Sequence, residues 1–185
     1  MRLLGVVLAG GRSSRFGGDK ALALHAGRTL IDHAIAALAP VAAEVVIVGR
    51  IHDGFRSLWD RPGPGLGPLA GLNAALADAA AGSFDGVVSV PCDAPQLSGE
   101  ILATLLEEPG RAAAFAGLPV CGYWPASLAV ALDAQLSSGD DRSLRRWIAC
   151  CDARIVPGPD VANINTQADL LALDAIVPRV QNTID

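Results

Sequence analysis

Leu3-Leu4-Gly5-Val6-Val7-Leu8, closed by Ala9-Gly10-Gly11, is the stretch on which the reading of the fold turns. Its aliphatic run shows no polar alternation, which is the pattern of a parallel strand buried on both faces. With Met1-Arg2 ahead of it, the run imitates the start of a secretion signal. It is too short for one, however, and ends in Gly10-Gly11-Arg12 instead of a small-residue cleavage site. A buried strand is the reading carried forward.

Working outward, Thr29–Leu38 places Leu30, Ile31, Ala34, Ile35 and Leu38 at helical spacing before Pro40. Glu44–Val48 reads as a second buried strand, Leu69–Ala80 as a helix and Gly86–Val90 as a third strand. Ser98–Glu107 reads as a helix with Ser98 as its N-cap. This alternation predicts a three-layer α/β/α architecture around an open, mostly parallel sheet. From Ala112 the rhythm changes. Ala112–Phe115 and Val120–Tyr123 are expected as short strands flanking Gly117-Leu118-Pro119, followed by helices at Ser127–Leu136 and Ser143–Ala149. A last strand at Ala153–Val156 and a helix at Thr166–Leu173 complete the series. No repeat or linker interrupts the 185 residues, so one domain is expected, with a tail over residues 175–185.

Composition limits the function classes. At 51% hydrophobic and 18% charged, the chain can bury a core and is not disordered. A net charge of -5 argues against non-specific binding to nucleic acid or to an anionic membrane. The longest apolar stretches, such as Ala34–Ala43 and Ala70–Ala81, fall well short of the ~20 residues a spanning helix needs. Cys92, Cys121, Cys150 and Cys151 form no C-x-x-C pair, so they read as thiols of a cytoplasmic protein.

In open α/β sheets ligands bind beyond the carboxyl ends of the strands, so the loops there carry the chemistry. The first runs from Leu8 through Gly10-Gly11-Arg12-Ser13-Ser14-Arg15-Phe16-Gly17-Gly18-Asp19-Lys20. Glycines let backbone amides turn toward an anion, and Arg12, Arg15 and Lys20 add cations, which together suit a polyphosphate. The loop is neither a Walker A sequence nor G-x-G-x-x-G; its plainer reading is a surface turn with solvated arginines. After the third strand, Pro91-Cys92-Asp93-Ala94-Pro95 offers Asp93. It is either a turn aspartate or a ligand for Mg²⁺, which usually takes one or two carboxylates plus substrate phosphates. Between Asp60 and Gly71, prolines alternate with glycines. Asp60 is either a solvated loop acid or an acceptor for the N1–H and 2-amino group of guanine, a donor pair that adenine and cytosine lack. In Asn163-Ile164-Asn165-Thr166, Thr166 and Asp169 fit a capping box, while the two asparagines also have amides to offer a phosphate or a metal-bound water. His25, His33 and His52 lie outside these loops, and no G-x-S-x-G is present, which argues against acyl transfer.

These loops, in this order, resemble the molybdenum cofactor guanylyltransferases, a branch of the Rossmann-like nucleotidyltransferases. The resemblance rests on Leu8-Ala9-Gly10-Gly11 through Gly17-Gly18-Asp19-Lys20, on Gly67-Pro68-Leu69-Ala70-Gly71 and on Pro91-Cys92-Asp93-Ala94-Pro95. It continues through Pro119-Val120-Cys121-Gly122-Tyr123-Trp124, Arg142-Ser143-Leu144 and Asn163-Ile164-Asn165-Thr166, spanning about residues 3–173. It implies that Leu8, Ala9, Gly10 and Lys20 bind GTP, that Asp60 contacts the guanine nucleotide and that Asp93 holds Mg²⁺. Gly11 and Arg15 would belong to the same phosphate site, while Asn163 and Asn165 would face the second substrate. The implied reaction transfers GMP from GTP to the terminal phosphate of molybdopterin, with release of pyrophosphate. Relatives can carry a nucleotide-contacting asparagine after the second strand; this chain has Gly49 there, and Gln167 stands where a proline is often found. Two alternatives remain at this stage: a nucleotidyltransferase for another acceptor, such as a cytidylyltransferase or a sugar-1-phosphate enzyme, or a non-catalytic nucleotide-binding protein.

Overall fold

The computed structural model describes residues 1–11, 15–138, 141–159 and 161–176. Strand β1 (Leu3–Leu8) lies near the middle of a seven-stranded sheet, with β4 (Glu44–Val48) on one side and β6 (Gly86–Pro91) on the other. Both pairings are parallel, Leu8 standing opposite Val48 and Pro91. Outside β4 runs β5 (Arg56–Leu58), again parallel. Beyond β6 the order is β8 (Gly122–Pro125), β7 (Ala113–Phe115) and β9 (Arg154–Val156). Strand β8 is antiparallel to both neighbours, and β7 pairs parallel with β9, so β8 alone among the seven described strands of this sheet is reversed. A two-stranded ribbon, β2 (Leu24–His25) with β3 (Arg28–Thr29), stands apart from the sheet.

Residue alternation explains why helices cover both faces. From β1, Leu3 and Val7 point into one layer, with α1 (Leu30–Leu38) and α3 (Gly99–Ala103) packed over them. Leu4 and Val6 point into the other, against α2 (Pro68–Ala81), α4 (Ala129–Ser137) and α5 (Leu144–Cys150). Each fully buried leucine of α2, such as Leu76, is worth about 1.5–3 kcal/mol of transfer free energy. Helix α6 (Gln167–Ile176) joins a smaller cluster in which Leu173 and Ile164 pack with Phe16 and Leu30. The three-layer, mostly parallel α/β expectation holds.

Several local expectations shift by a turn. The strand expected at Val120–Tyr123 begins at Gly122, because the Cys121 N–H closes a turn on the Leu118 carbonyl at 2.8 Å. Pairing with β6 then carries it to Pro125. The helix expected over Ser98–Glu107 tightens into a 3₁₀ turn at Thr104–Leu106, where the Thr104 hydroxyl donates back to the Ile101 carbonyl at 2.8 Å. Helix α6 runs through Ile176, so it takes in the first residues of the expected tail; residues 177–185 lie outside those described. Among the described residues, no helix is long and apolar enough to cross a membrane.

Candidate active site

Strands β1, β4 and β6 end side by side, and the loops that follow them line a cleft of about 610 Å³. That volume falls within the range of small-molecule sites. Its walls include Leu8, Gly10 and Gly11 from the first loop, Asp60 and Gly65 ahead of α2, Asp93 after β6, and Asn163. Loops separated by more than a hundred residues in sequence therefore meet at one sheet end, as the strand order requires.

The floor of the cleft is fixed by backbone contacts. The Ala9 N–H donates to the Val48 carbonyl at 3.0 Å, and the Gly49 N–H to the Leu58 carbonyl at 3.0 Å. Gly49 has φ +88°, and a Cβ there would come within 2.4 Å of the Gly10 Cα. An asparagine at this position thus could not be accepted without displacing the first loop. The asparagine contact expected there from the resemblance is closed to this chain by the close approach of two backbones. Gly71 serves a similar end in the first turns of α2: a Cβ there would press on Leu8 and Val48 and lie 3.5 Å from an Asp60 carboxylate oxygen.

Asp93 and Lys20 meet in an ion pair of 2.6 Å, with side chains 17% and 15% exposed. Lys20 opens a 3₁₀ turn, Lys20–Leu22, whose N-cap Asp19 accepts from the Ala21 N–H at 3.2 Å. Asp93 is held from behind, its carbonyl accepting from the Ile164 N–H at 2.9 Å. Its Oδ2 faces Lys20, while its Oδ1 is buried with no hydrogen-bond partner among the described residues. An unpaired anionic oxygen out of water is costly unless a cation or donor supplies the missing interaction. Asp60, by contrast, makes no ion pair among the described residues; burial pushes its carboxyl above the usual aspartate value.

Not every expected site residue enters the cleft. Arg15 is exposed on its turn and, like Ala9 and Lys20, is not part of the lining, and Arg12 lies outside the described residues. Of the two asparagines, Asn163 lines the cleft, whereas Asn165 sits in the turn before α6. That turn is the expected capping box. Asp169 accepts from the Asn165 and Thr166 N–H groups, both at 2.8 Å, and the Asp169 N–H donates to the Thr166 hydroxyl at 3.2 Å. The histidines serve as ties away from the cleft: His25 bonds Asp174 of α6, His33 bonds the His25 carbonyl, and His52 bonds Asp32. Cys92 and Cys121 are buried, and desolvation pushes the Cys92 thiol up to about 11, so neither reads as a nucleophile.

Sequence reasoning passed over Arg50, whose guanidinium holds Asp19 through two bonds of 2.7 and 2.6 Å. A signal for it existed: Arg50 follows a strand at its carboxyl end, the position that drew attention to the other loops. Asp19 itself is held below the usual carboxylate range, chiefly by these bonds from Arg50.

Comparison with known proteins fits this geometry. The pattern of the MobA-like NTP transferase domain matches residues 5–169. A molybdenum cofactor guanylyltransferase from Acidiphilium cryptum is 35% identical over 185 residues, covering 94% of each chain. One from Xanthomonas euvesicatoria pv. vesicatoria is 41% identical over 145 residues, covering 76% of this chain and 75% of its own. The crystal structure of a molybdopterin-guanine dinucleotide biosynthesis protein A from Archaeoglobus fulgidus superposes with a TM-score of 0.74. It does so over 94% of this chain and 97% of that one at 24% identity, a likeness of fold. A family pattern spanning nearly the whole sheet and its loops, with relatives this similar over most of their length, establishes that the chain belongs to the MobA-like NTP transferases.

Proposed function

We propose that this chain transfers GMP from GTP to the terminal phosphate of molybdopterin, releasing pyrophosphate, and that it does so in the cytoplasm, where its free thiols stay reduced. The observation that carries the reading is the cleft itself, which gathers Gly10, Gly11, Asp60 and Asp93 at one sheet end, with Lys20 behind the lining and paired to Asp93. The relatives' guanylyltransferase names supply the acceptor and the base.

In this reading the Gly10 and Gly11 backbone and the Lys20 ammonium receive the triphosphate, with Leu8 and Ala9 forming the strand end beneath it. Asp60 receives the guanine edge, and Arg15 adds positive charge at the rim of the phosphate site. Asn163 faces the pterin substrate, with Asn165 supporting the turn that presents it. The attacking phosphate is largely ionised at neutral pH, its second pKa being about 6. No general base is then needed, which agrees with the absence of a histidine from the cleft lining among the described residues. An oxygen of the pterin phosphate forms a bond to the α-phosphorus while the bond to the bridging β-phosphate oxygen breaks, and pyrophosphate departs with that oxygen. What the protein supplies is alignment and charge neutralisation.

The residues also fit a Mg²⁺ ion. Asp93 presents one oxygen without a partner, and Mg²⁺ commonly uses one or two carboxylates and completes its shell with phosphates and water. Bound there, the ion would neutralise phosphate charge that Lys20 cannot cover by itself. Among the described residues no cluster of three or more His, Cys, Asp or Glu side chains exists, so nucleotide phosphates would have to complete the shell.

The experiment is pyrophosphate release with molybdopterin and Mg²⁺, offering GTP, CTP, ATP and UTP in turn. The expected result is preference for GTP by at least about tenfold over CTP, the scale of discrimination that hydrogen-bonded recognition readily exceeds. Preference for CTP would overturn the guanylyl assignment and leave nucleotidyl transfer standing.

A further inference from the structure

Arg50 lies one residue beyond Gly49 and reaches across the carboxyl end of β1 to the first loop. Its two terminal nitrogens grip the Asp19 carboxylate at 2.7 and 2.6 Å. Asp19 in turn caps the 3₁₀ turn that begins with Lys20, and Lys20 reaches Asp93 at 2.6 Å. The contacts thus run without a break from Arg50 through Asp19 and the Lys20 turn to Asp93, linking the ends of β4 and β6 above β1. We propose that Arg50 is a positioning residue for nucleotidyl transfer: by clamping Asp19 it fixes the turn that aims the Lys20 ammonium into the phosphate site.

Three features separate this clamp from an ordinary surface ion pair. The pairing is bidentate, which fixes orientation as well as distance. The Arg50 side chain is only 20% exposed, and its Nε is buried with no partner among the described residues, so the guanidinium forgoes one hydrogen bond while holding Asp19. Finally, Gly49 has no side chain to send toward the loop and no room for one, which leaves Arg50 as the side chain by which this strand end grips it. Arg56 offers a contrast. It also forks between carboxylates, Glu44 and Asp78, but it is 44% exposed on β5, and neither of its partners belongs to the first loop.

The proposal rests on the reading that Lys20 acts on the nucleotide phosphates, and its test keeps the two apart. Pyrophosphate release and calorimetric GTP affinity are measured for Arg50→Ala, Arg50→Lys, Lys20→Ala, the Arg50→Ala/Lys20→Ala double variant and Arg56→Ala. Arg50→Ala is expected to lower kcat about tenfold, the scale of a catalytic group left loosely oriented. Arg50→Lys, which keeps the charge but not the fork, should recover part of that loss. In the Lys20→Ala background, Arg50→Ala should change kcat by no more than about twofold, because a residue acting through Lys20 has nothing left to act on. Arg56→Ala should keep wild-type turnover.

Multiplying losses in the double variant would overturn the proposal, since Arg50 would then act elsewhere. So would wild-type turnover in Arg50→Ala, or an equal loss in Arg56→Ala. Wild-type turnover in Lys20→Ala would instead overturn the reading of the phosphate site. Should Arg50→Ala fail to fold, Asp19→Asn in the same two backgrounds decides by the same criterion, because it removes the charged pair with little change of volume.

Discussion

The two carboxylate oxygens of Asp93 have different neighbours, one on Lys20 at 2.6 Å and the other buried without a partner. Asp93→Asn tests the charge at nearly constant volume. Turnover should fall at least about tenfold, the lower bound for losing a charge at a site of developing anions. The far-UV circular dichroism should stay native, and wild-type turnover would remove Asp93 from the chemistry. Lys20→Ala should lower turnover by at least about tenfold as well, because in the proposed mechanism it removes the ammonium that receives phosphate.

Asp60 has a pH signature of its own. Its burial raises the carboxyl above 3.8, so in the free protein it holds its proton to higher pH than a solvated aspartate. The folded state therefore binds that proton more tightly than the unfolded chain. The stability so gained is full below the unfolded pKa and disappears as pH rises through the folded one. Recognition has the opposite sign, because only the ionised carboxylate accepts both guanine N–H groups. GTP affinity should thus weaken on acidification earlier than an ordinary aspartate would dictate. Asp60→Asn should abolish that part of the acid limb in calorimetric titrations; an unchanged limb would place the base elsewhere.

At the scale of elements, the turn after β4 is the most constrained piece of the site. Gly49→Asn places a side chain where the backbone of the first loop already lies. Here it is expected to lower stability by about 2–4 kcal/mol, combining a left-handed backbone with overpacking against Gly10. Urea unfolding measures that loss, and GTP affinity should fall with it. Stability equal to wild type would mean that the first loop yields easily.

Elements built on long apolar runs or clear caps were legible in the sequence. Strand β1, helix α1, β4, β6, helix α5 and the Ser98 cap all stand within a residue or two of expectation. The β2–β3 ribbon and the edge strand β5 were not, because two or three residues carry no periodicity. The cleft residues Gly10, Asp60, Asp93 and Asn163 were legible because each lies in a loop of unusual composition. Arg50 was passed over although it follows a strand at its carboxyl end, since its partner Asp19 is 31 positions away and nothing local marks the pairing.

For the whole molecule, a net charge of -5 coexists with a first loop rich in cations, so the proposed polyphosphate site and the bulk of the negative charge belong to different regions. The sheet is what makes the site, since it brings the loops after β1, β4 and β6 to one end. Its rigidity comes from the aliphatic layers beneath. Leu76→Ala, at a fully buried position of α2, should cost about 2–5 kcal/mol in urea unfolding. It should leave the kcat of the folded protein near wild type, because Leu76 touches the core and not the cleft; a proportionate loss of kcat would tie core packing to catalysis. The central claim is transfer of the GTP α-phosphate to the pterin, and the most direct measurement follows GTP labelled at that phosphate. With molybdopterin and Mg²⁺, the label should appear in a guanine dinucleotide of the pterin, matched by an equal amount of pyrophosphate. Label that stays in GTP, or leaves as GMP or GDP without joining the pterin, would contradict it.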